Sequence, residues 1–249
     1  MRILLSPSET KSVGGSGGPL DLASLSLTEL TETRRSVADA LVTKCVDDPV
    51  GARSALGLSD TQSEEVTLDA QLWSSPTAPA LSRYTGVLYD ALDQTSLTRA
   101  ARSRAESRLW IGSALFGLIA AADPIPHYRL SAGTRLPGTG TLRTTWKPAL
   151  TAATAGWADD LVVDLRSGGY HQLGPVTGAV TVDVVTEYPD GTRKVVSHFS
   201  KFHKGLLART LATSRAEMGD VAALLRVARR AGHTLERTSE TALTMVTDP

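Results

Sequence analysis

Apolar and polar positions change rhythm several times along this chain, and the changes predict its elements. "RILLS", residues 2–6, is a short apolar run stopped by Pro7. It predicts a strand buried inside a sheet, followed by "VGGSGGP" as a mobile loop. Ser26 and Glu29 in "SLTE" stand at capping-box spacing, and Leu30 to Val46 continue with helical character. From about residue 49 to 123 the pattern predicts helix, broken by "SSPTAP" and short Ser/Thr/Asp stretches. Within it, "WIGSALFGLIAAA" predicts a buried helix.

From residue 159 the pattern shortens. "LVVDL" is a buried-strand candidate, and "VTVDVVTEY" and "RKVVSHF" flank "PDGT", where Asp190-Gly191 favours a tight hairpin. A second capping box, Ser214 to Glu217, predicts a helix to about Arg230 closed by Gly232. The order of elements predicts an α/β (α+β) fold with a mixed β-sheet wrapped by helices. A single domain over 1–249 is expected, with a helical block at about 26–123 between an N-terminal strand and a C-terminal strand and helix region.

The helix-like stretch "FSKFHKGLLARTL" carries a glycine that costs about 1 kcal/mol against alanine. On a helical wheel Lys201, Gly205, Ala208 and Ala212 share one face with Lys204 at its edge, while Phe199, Phe202 and Leu206 take another. Such a face admits close approach of a ligand, and Lys201, Lys204, Gly205 and Arg209 are then anion-binding candidates. Packing of a neighbouring helix on Gly205, with solvated lysines, accounts for the same pattern.

Charge narrows the choice of partner. The 249 residues hold 26 basic and 26 acidic side chains, so any anion site is a local patch. A lone Cys45 rules out a disulfide framework or a thiolate metal cage, and a reducing cytoplasm fits. No apolar run approaches a membrane span, so no membrane partner is expected. His127, His171, His198, His203 and His233 show no HExxH, and only His198 and His203 stand close in sequence. No metal site is predicted, and no GxSxG elbow marks an acyl-transfer serine.

Candidate chemistry gathers at predicted strand ends, where α/β sheets place ligands. "SPSETK" delivers Ser6, Ser8, Glu9 and Lys11 without the signature of a phosphate loop. "DLRSGGYHQL" places Arg166, Ser167 and Tyr170 directly after a strand candidate, where a plain strand-to-helix turn is the alternative. Tyr128 and Arg129 follow two prolines that stiffen their approach to a cleft, with a surface ion pair as the alternative for the arginine.

Together, "MRILLSPSETK", "YTGVLYDAL", "LWIGSALFGLIAAADPIPHYRLSAG", "DLRSGGY" and "SKFHKGLLAR" resemble, in order, segments of the bacterial peroxide stress protein YaaA family. The resemblance implies a cytoplasmic protein with a positively charged cleft and a helix-hairpin-helix-like element. It implies binding of DNA and limitation of iron-driven damage, with "IGSALFGL" as the source of the glycine turn. On it, Lys201, Lys204 and Arg209 match a basic segment, Arg129 an arginine of "PYR", and Tyr84 and Gly86 a "YTG" motif.

Two functions stay open. One is binding of double-stranded DNA through Lys201, Lys204, Arg209 and Arg129. The other is an enzyme for a small anionic or nucleotide-like substrate, in which Ser6, Glu9, Lys11, Ser167, Tyr170, Arg129 and Lys201 converge. Glu9 or Tyr170 then transfers the proton and the cations hold the anion. No cofactor is indicated by these residues.

Overall fold

Ile3, Leu4 and Leu5 are fully buried, so the first strand, β1 (Arg2–Leu5), has both faces covered. That is the environment of a central parallel strand. The computed structural model describes residues 1–195 and 197–249. After β1 come the helices α1 (Thr31–Asp47), α2 (Pro49–Ala55) and α3 (Glu64–Ala70), the two-residue strand β2 (Ala78–Pro79), and α4 (Ala80–Arg83), α5 (Val87–Leu92) and α6 (Arg99–Arg108). The strands β3 (Leu109–Ser113) and β4 (Gly117–Ala120) follow, then short β5 (Pro124–Ile125), β6 (Arg135–Leu136) and β7 (Gly140–Thr141). The remainder runs α7 (Leu142–Ala153), β8 (Val162–Asp164), α8 (Gly168–Leu173), β9 (Val180–Glu187), β10 (Arg193–Lys194), α9 (Ser197–Thr213), α10 (Val221–Arg230), β11 (Thr234–Arg237) and β12 (Ala242–Thr247).

Eight strands form one mixed sheet in the order β11-β12-β9-β8-β1-β3-β4, with β10 paired to β9. The inner pairs β1 with β3, β1 with β8, β8 with β9 and β9 with β12 are parallel. The pairs β3 with β4, β11 with β12 and β9 with β10 are antiparallel. The chain leaves β1 for β3 on one side and later places β8 on the other. This makes the carboxyl end of β1 the switch point at which open α/β sheets hold ligands. An α/β architecture with a mixed sheet and helices is what the sequence pattern predicts.

"LWIGSALFGLIAAA" is corrected: residues 109–120 form the β3–β4 hairpin, not a buried helix. The Ser113 hydroxyl closes the turn by accepting from the Leu115 and Phe116 N–H groups at 3.2 and 2.9 Å. Buried Arg34 on α1 donates to the Phe116 and Leu118 carbonyls at 3.0 and 2.8 Å, and the Trp146 indole on α7 donates to the Ala114 carbonyl at 2.8 Å. These side chains, distant in sequence, satisfy the turn's backbone groups, so helical bonds are not needed. "IGSALFGL" therefore supplies no turn between two helices.

Both predicted capping boxes are also replaced. Ser26 donates from its N–H and hydroxyl to the Asp123 carboxylate, and α1 begins after a 3₁₀ turn at Thr28–Leu30. Asp220, not Ser214, caps α10, accepting from the Ala223 N–H at 2.7 Å. The hairpin at Asp190-Gly191 forms, with Gly191 N–H donating to the Tyr188 carbonyl at 2.8 Å, but its second strand spans only Arg193–Lys194 before α9 begins. Within the predicted strand "RKVVSHF", Val196 lies outside the described residues. The expected mobile loop is strapped by Arg83, which donates to the Ser12 and Gly14 carbonyls at 2.5 and 2.7 Å and also reaches the Ile125 carbonyl.

Candidate functional site

Two polar neighbourhoods lie side by side at the carboxyl ends of β1, β3 and β8. The first is a cavity of about 200 Å³ lined by Ser6, Leu88, Leu165, Ser167, Asp183, Val184, Val195, Ser200, Lys201 and Lys204. β1 delivers Ser6, whose hydroxyl accepts from the Ser167 N–H at 2.7 Å and so ties the β1 exit to the β8 exit. α9 delivers the two lysines from the other side. Among the described residues neither Lys201 nor Lys204 makes a hydrogen bond or ion pair. Burial lowers the Lys204 pKa, and the charges of Asp183 and Asp164 oppose that shift.

An adjoining groove of about 260 Å³ shares Ser6, Leu88 and Lys201 and continues along Pro7, Ser8, Thr10, Thr85, Gly86 and Tyr89. Gly86 has φ +93°, and a Cβ there would lie 3.2 Å from the Ser8 hydroxyl, so the groove wall needs glycine at this turn. The Tyr89 hydroxyl donates to the Ser6 carbonyl at 2.9 Å, fixing the floor.

The second neighbourhood is buried. The Lys11 ammonium donates to the Ser8 and Glu9 carbonyls at 3.0 and 3.4 Å and sits 4.3 and 5.4 Å from the ring centres of Tyr128 and Tyr84. The Tyr84 and Tyr128 hydroxyls share a 2.7 Å hydrogen bond, and Tyr128 meets the Ser113 hydroxyl at 2.8 Å. Arg129 reaches the Glu9 carbonyl at 3.1 Å and the Glu9 carboxylate at 3.4 Å. Burial lowers the Lys11 pKa to about 8 and raises those of Tyr84, Tyr128 and Tyr170.

The sequence candidates thus divide. Ser6, Ser167, Lys201 and Lys204 share the open cavity, whereas Lys11, Tyr84, Arg129 and Tyr170 gather in the second neighbourhood with Glu9 at its exposed edge. Tyr170, with its phenol pKa raised, is a poor proton acceptor. Three candidates are structural instead. Gly205 faces α5, where a Cβ would lie 2.3 Å from the Leu88 carbonyl oxygen. Arg209 donates at 2.6 Å to both the Leu92 and Asp93 carbonyls, closing the end of α5. Arg166 is spent on Asp164, donating from Nε at 2.9 Å and from Nη2 at 2.6 Å.

Of the His198–His203 pair, the His198 side chain lies outside the described residues. Among the described residues no three His, Cys, Asp or Glu side chains stand close enough to hold a metal ion. Sequence reasoning missed Asp69, Ser113, Asp183 and the pairing of His171 Nδ1 with Asp164 at 3.0 Å. Each depends on elements far apart in the chain, except His171, whose place seven residues after Asp164 was a visible signal.

Comparison with known proteins bears on this arrangement. A family model described as peroxide stress protein YaaA matches residues 1–238, which include every residue of both neighbourhoods. The chain belongs to the peroxide stress protein YaaA family. Relatives also align with this YaaA-family chain over nearly its full length. A UPF0246 protein of Corynebacterium efficiens is 52% identical over 240 residues, covering 95% of both chains. One from Corynebacterium glutamicum is 47% identical with the same coverage. One from Streptomyces coelicolor is 42% identical, covering 95% of this chain and 92% of its own. No helix of the described residues is long and apolar enough to cross a membrane.

Proposed function

We propose that this YaaA-family protein serves the peroxide-stress response by binding a phosphate-bearing anion in the cavity between β1, β8 and α9. The observation that carries the reading is the pair of ammonium groups, Lys201 and Lys204, which line one 200 Å³ cavity and make no hydrogen bond or ion pair among the described residues. Cations elsewhere in the neighbourhood are engaged: Arg166 by Asp164, Arg129 by Glu9, and Arg209 by α5 carbonyls. Ser6 and Ser167 supply hydroxyls on the opposite wall, and Asp183 restricts how much negative charge the cavity accepts.

A free nucleotide and a nucleic-acid backbone present the same phosphate. One observation favours a nucleic-acid strand as its source. Phe199 and Phe202, on another face of the helix that carries Lys201, are 52% and 43% exposed, giving stacking surfaces on the same element as the cations. On this reading the bound strand is shielded from iron-driven damage by being covered.

The test is equilibrium binding of inorganic phosphate, ATP, a short single strand and a short duplex, each titrated with salt. The variant Lys201→Ala/Lys204→Ala is expected to lose at least about tenfold in affinity. With two lysines available, a strand is expected to show a log–log salt slope near −1.4, and a duplex near −1.8, from about 0.7 or 0.9 counterions per phosphate. Unchanged affinity in the double variant would sink the assignment.

A further inference from the structure

We propose that Lys11 is an amine nucleophile that forms an imine with small aldehydes or ketones, at a buried site distinct from the phosphate cavity. The residue is only 9% exposed and makes no ion pair among the described residues. Its ammonium is held by two backbone carbonyls and two aromatic faces, contacts that offset only part of the loss of water. A lysine stripped of water in this way gives up its proton readily and becomes a nucleophile. The lowered pKa, about 8, agrees.

An acid stands next to this cluster, hydrogen-bonded to the backbone of the residue that follows Tyr128, whose ring faces Lys11. Asp69 is fully buried, and its Oδ1 accepts from the Arg129 N–H at 2.9 Å while its Oδ2 has no hydrogen-bond partner among the described residues. Burial raises the Asp69 pKa, and the Lys11 charge is among the groups acting on it. A buried oxygen left without a partner marks a place where a proton, a water or a ligand atom belongs. Lys11 donates to the Ser8 carbonyl, and Ser8 and Thr10 line the 260 Å³ groove. The Glu9–Arg129 pair covers the other side at the surface.

The chemistry balances without an added oxidant or reductant. The neutral Lys11 amine attacks the carbonyl carbon, forming a C–N bond as the C=O π bond breaks, and a proton passes from the nitrogen to the oxygen to give the neutral carbinolamine. Asp69 as the acid protonates the carbinolamine hydroxyl, water leaves, and the iminium remains; loss of its N–H proton to the Asp69 carboxylate yields the neutral imine.

The test is reductive trapping at pH 7 with limiting propanal or pyruvate and sodium cyanoborohydride, the hydride donor, followed by peptide mapping. The chain has six lysines, at 11, 44, 147, 194, 201 and 204, so each site is read separately. Lys11 is expected to be alkylated at least tenfold faster than any of the other five. Asp69→Asn is expected to slow Lys11 modification at least fivefold while leaving the other sites unchanged. A Lys11 that reacts no faster than the surface lysines overturns the proposal. So does an Asp69→Asn protein, folded by circular dichroism, that reacts as fast as the parent. This reading and the phosphate reading fail separately, because one is scored by modification mapped to Lys11 and the other by phosphate affinity.

Discussion

Gly205 meets the Leu88 carbonyl and the Ala91 side chain at distances that leave no room for a methyl group. Gly205→Ala is therefore expected to destabilise the fold by about 2 kcal/mol, the ordinary cost of overpacking, measured by urea unfolding. Cys45 makes a different point at this scale. It is 2% exposed, and burial raises its pKa to about 12, so it is held as the unreactive thiol. Iodoacetamide should label native Cys45 at least about 100-fold more slowly than the unfolded chain, and hydrogen peroxide should leave it reduced. Rapid native labelling would show that the pocket around it opens.

At the scale of elements, α5 and α9 act as one unit, because Gly205 admits α5 and Arg209 closes its carboxyl end. Arg209→Ala should cost about 1 kcal/mol by leaving the Leu92 and Asp93 carbonyls without a charged donor. It should leave phosphate affinity intact, which separates it from Lys201→Ala/Lys204→Ala. The N-terminus of α10 offers a parallel check: Asp220→Ala is expected to cost about 1 kcal/mol, whereas Ser214→Ala should be nearly neutral. Reversal of that order in thermal unfolding would restore the capping box that the sequence spacing suggests.

For the whole molecule, buried titratable groups link stability to pH. Lys11 has a folded pKa below its unfolded value, so the unfolded chain binds more protons between pH 8 and 10.5. Its contribution to stability therefore rises through that window, by about 3 kcal/mol in all. Cys45 and the buried tyrosines have raised pKa values and act in the opposite direction above about pH 9. The Lys11 effect is thus best read as a difference: the advantage of Lys11→Met over the parent in denaturant unfolding should shrink from pH 8 to 10. An advantage constant with pH would show that Lys11 is solvated. Asp164, whose pKa is lowered by Arg166 and His171 against the cost of burial, adds stability that is present above the unfolded value and fades in strong acid.

How much of this was legible depended on the range of the interactions. Apolar runs alone determined β1 and β8, and the helical spacing of small and apolar residues determined α9, since these patterns follow from local periodicity and burial. Ser6 and Ser167, which the sequence puts at strand ends, line one cavity with Lys201 and Lys204. The β3–β4 hairpin was hidden because its backbone is completed by Arg34 and Trp146 from α1 and α7. Which arginines remain available was equally hidden, since partners such as the Leu92 and Glu9 carbonyls are set by packing between remote elements. Periodicity records which side chains want to leave water. Only the tertiary structure decides which charged groups are left unpaired once they have done so.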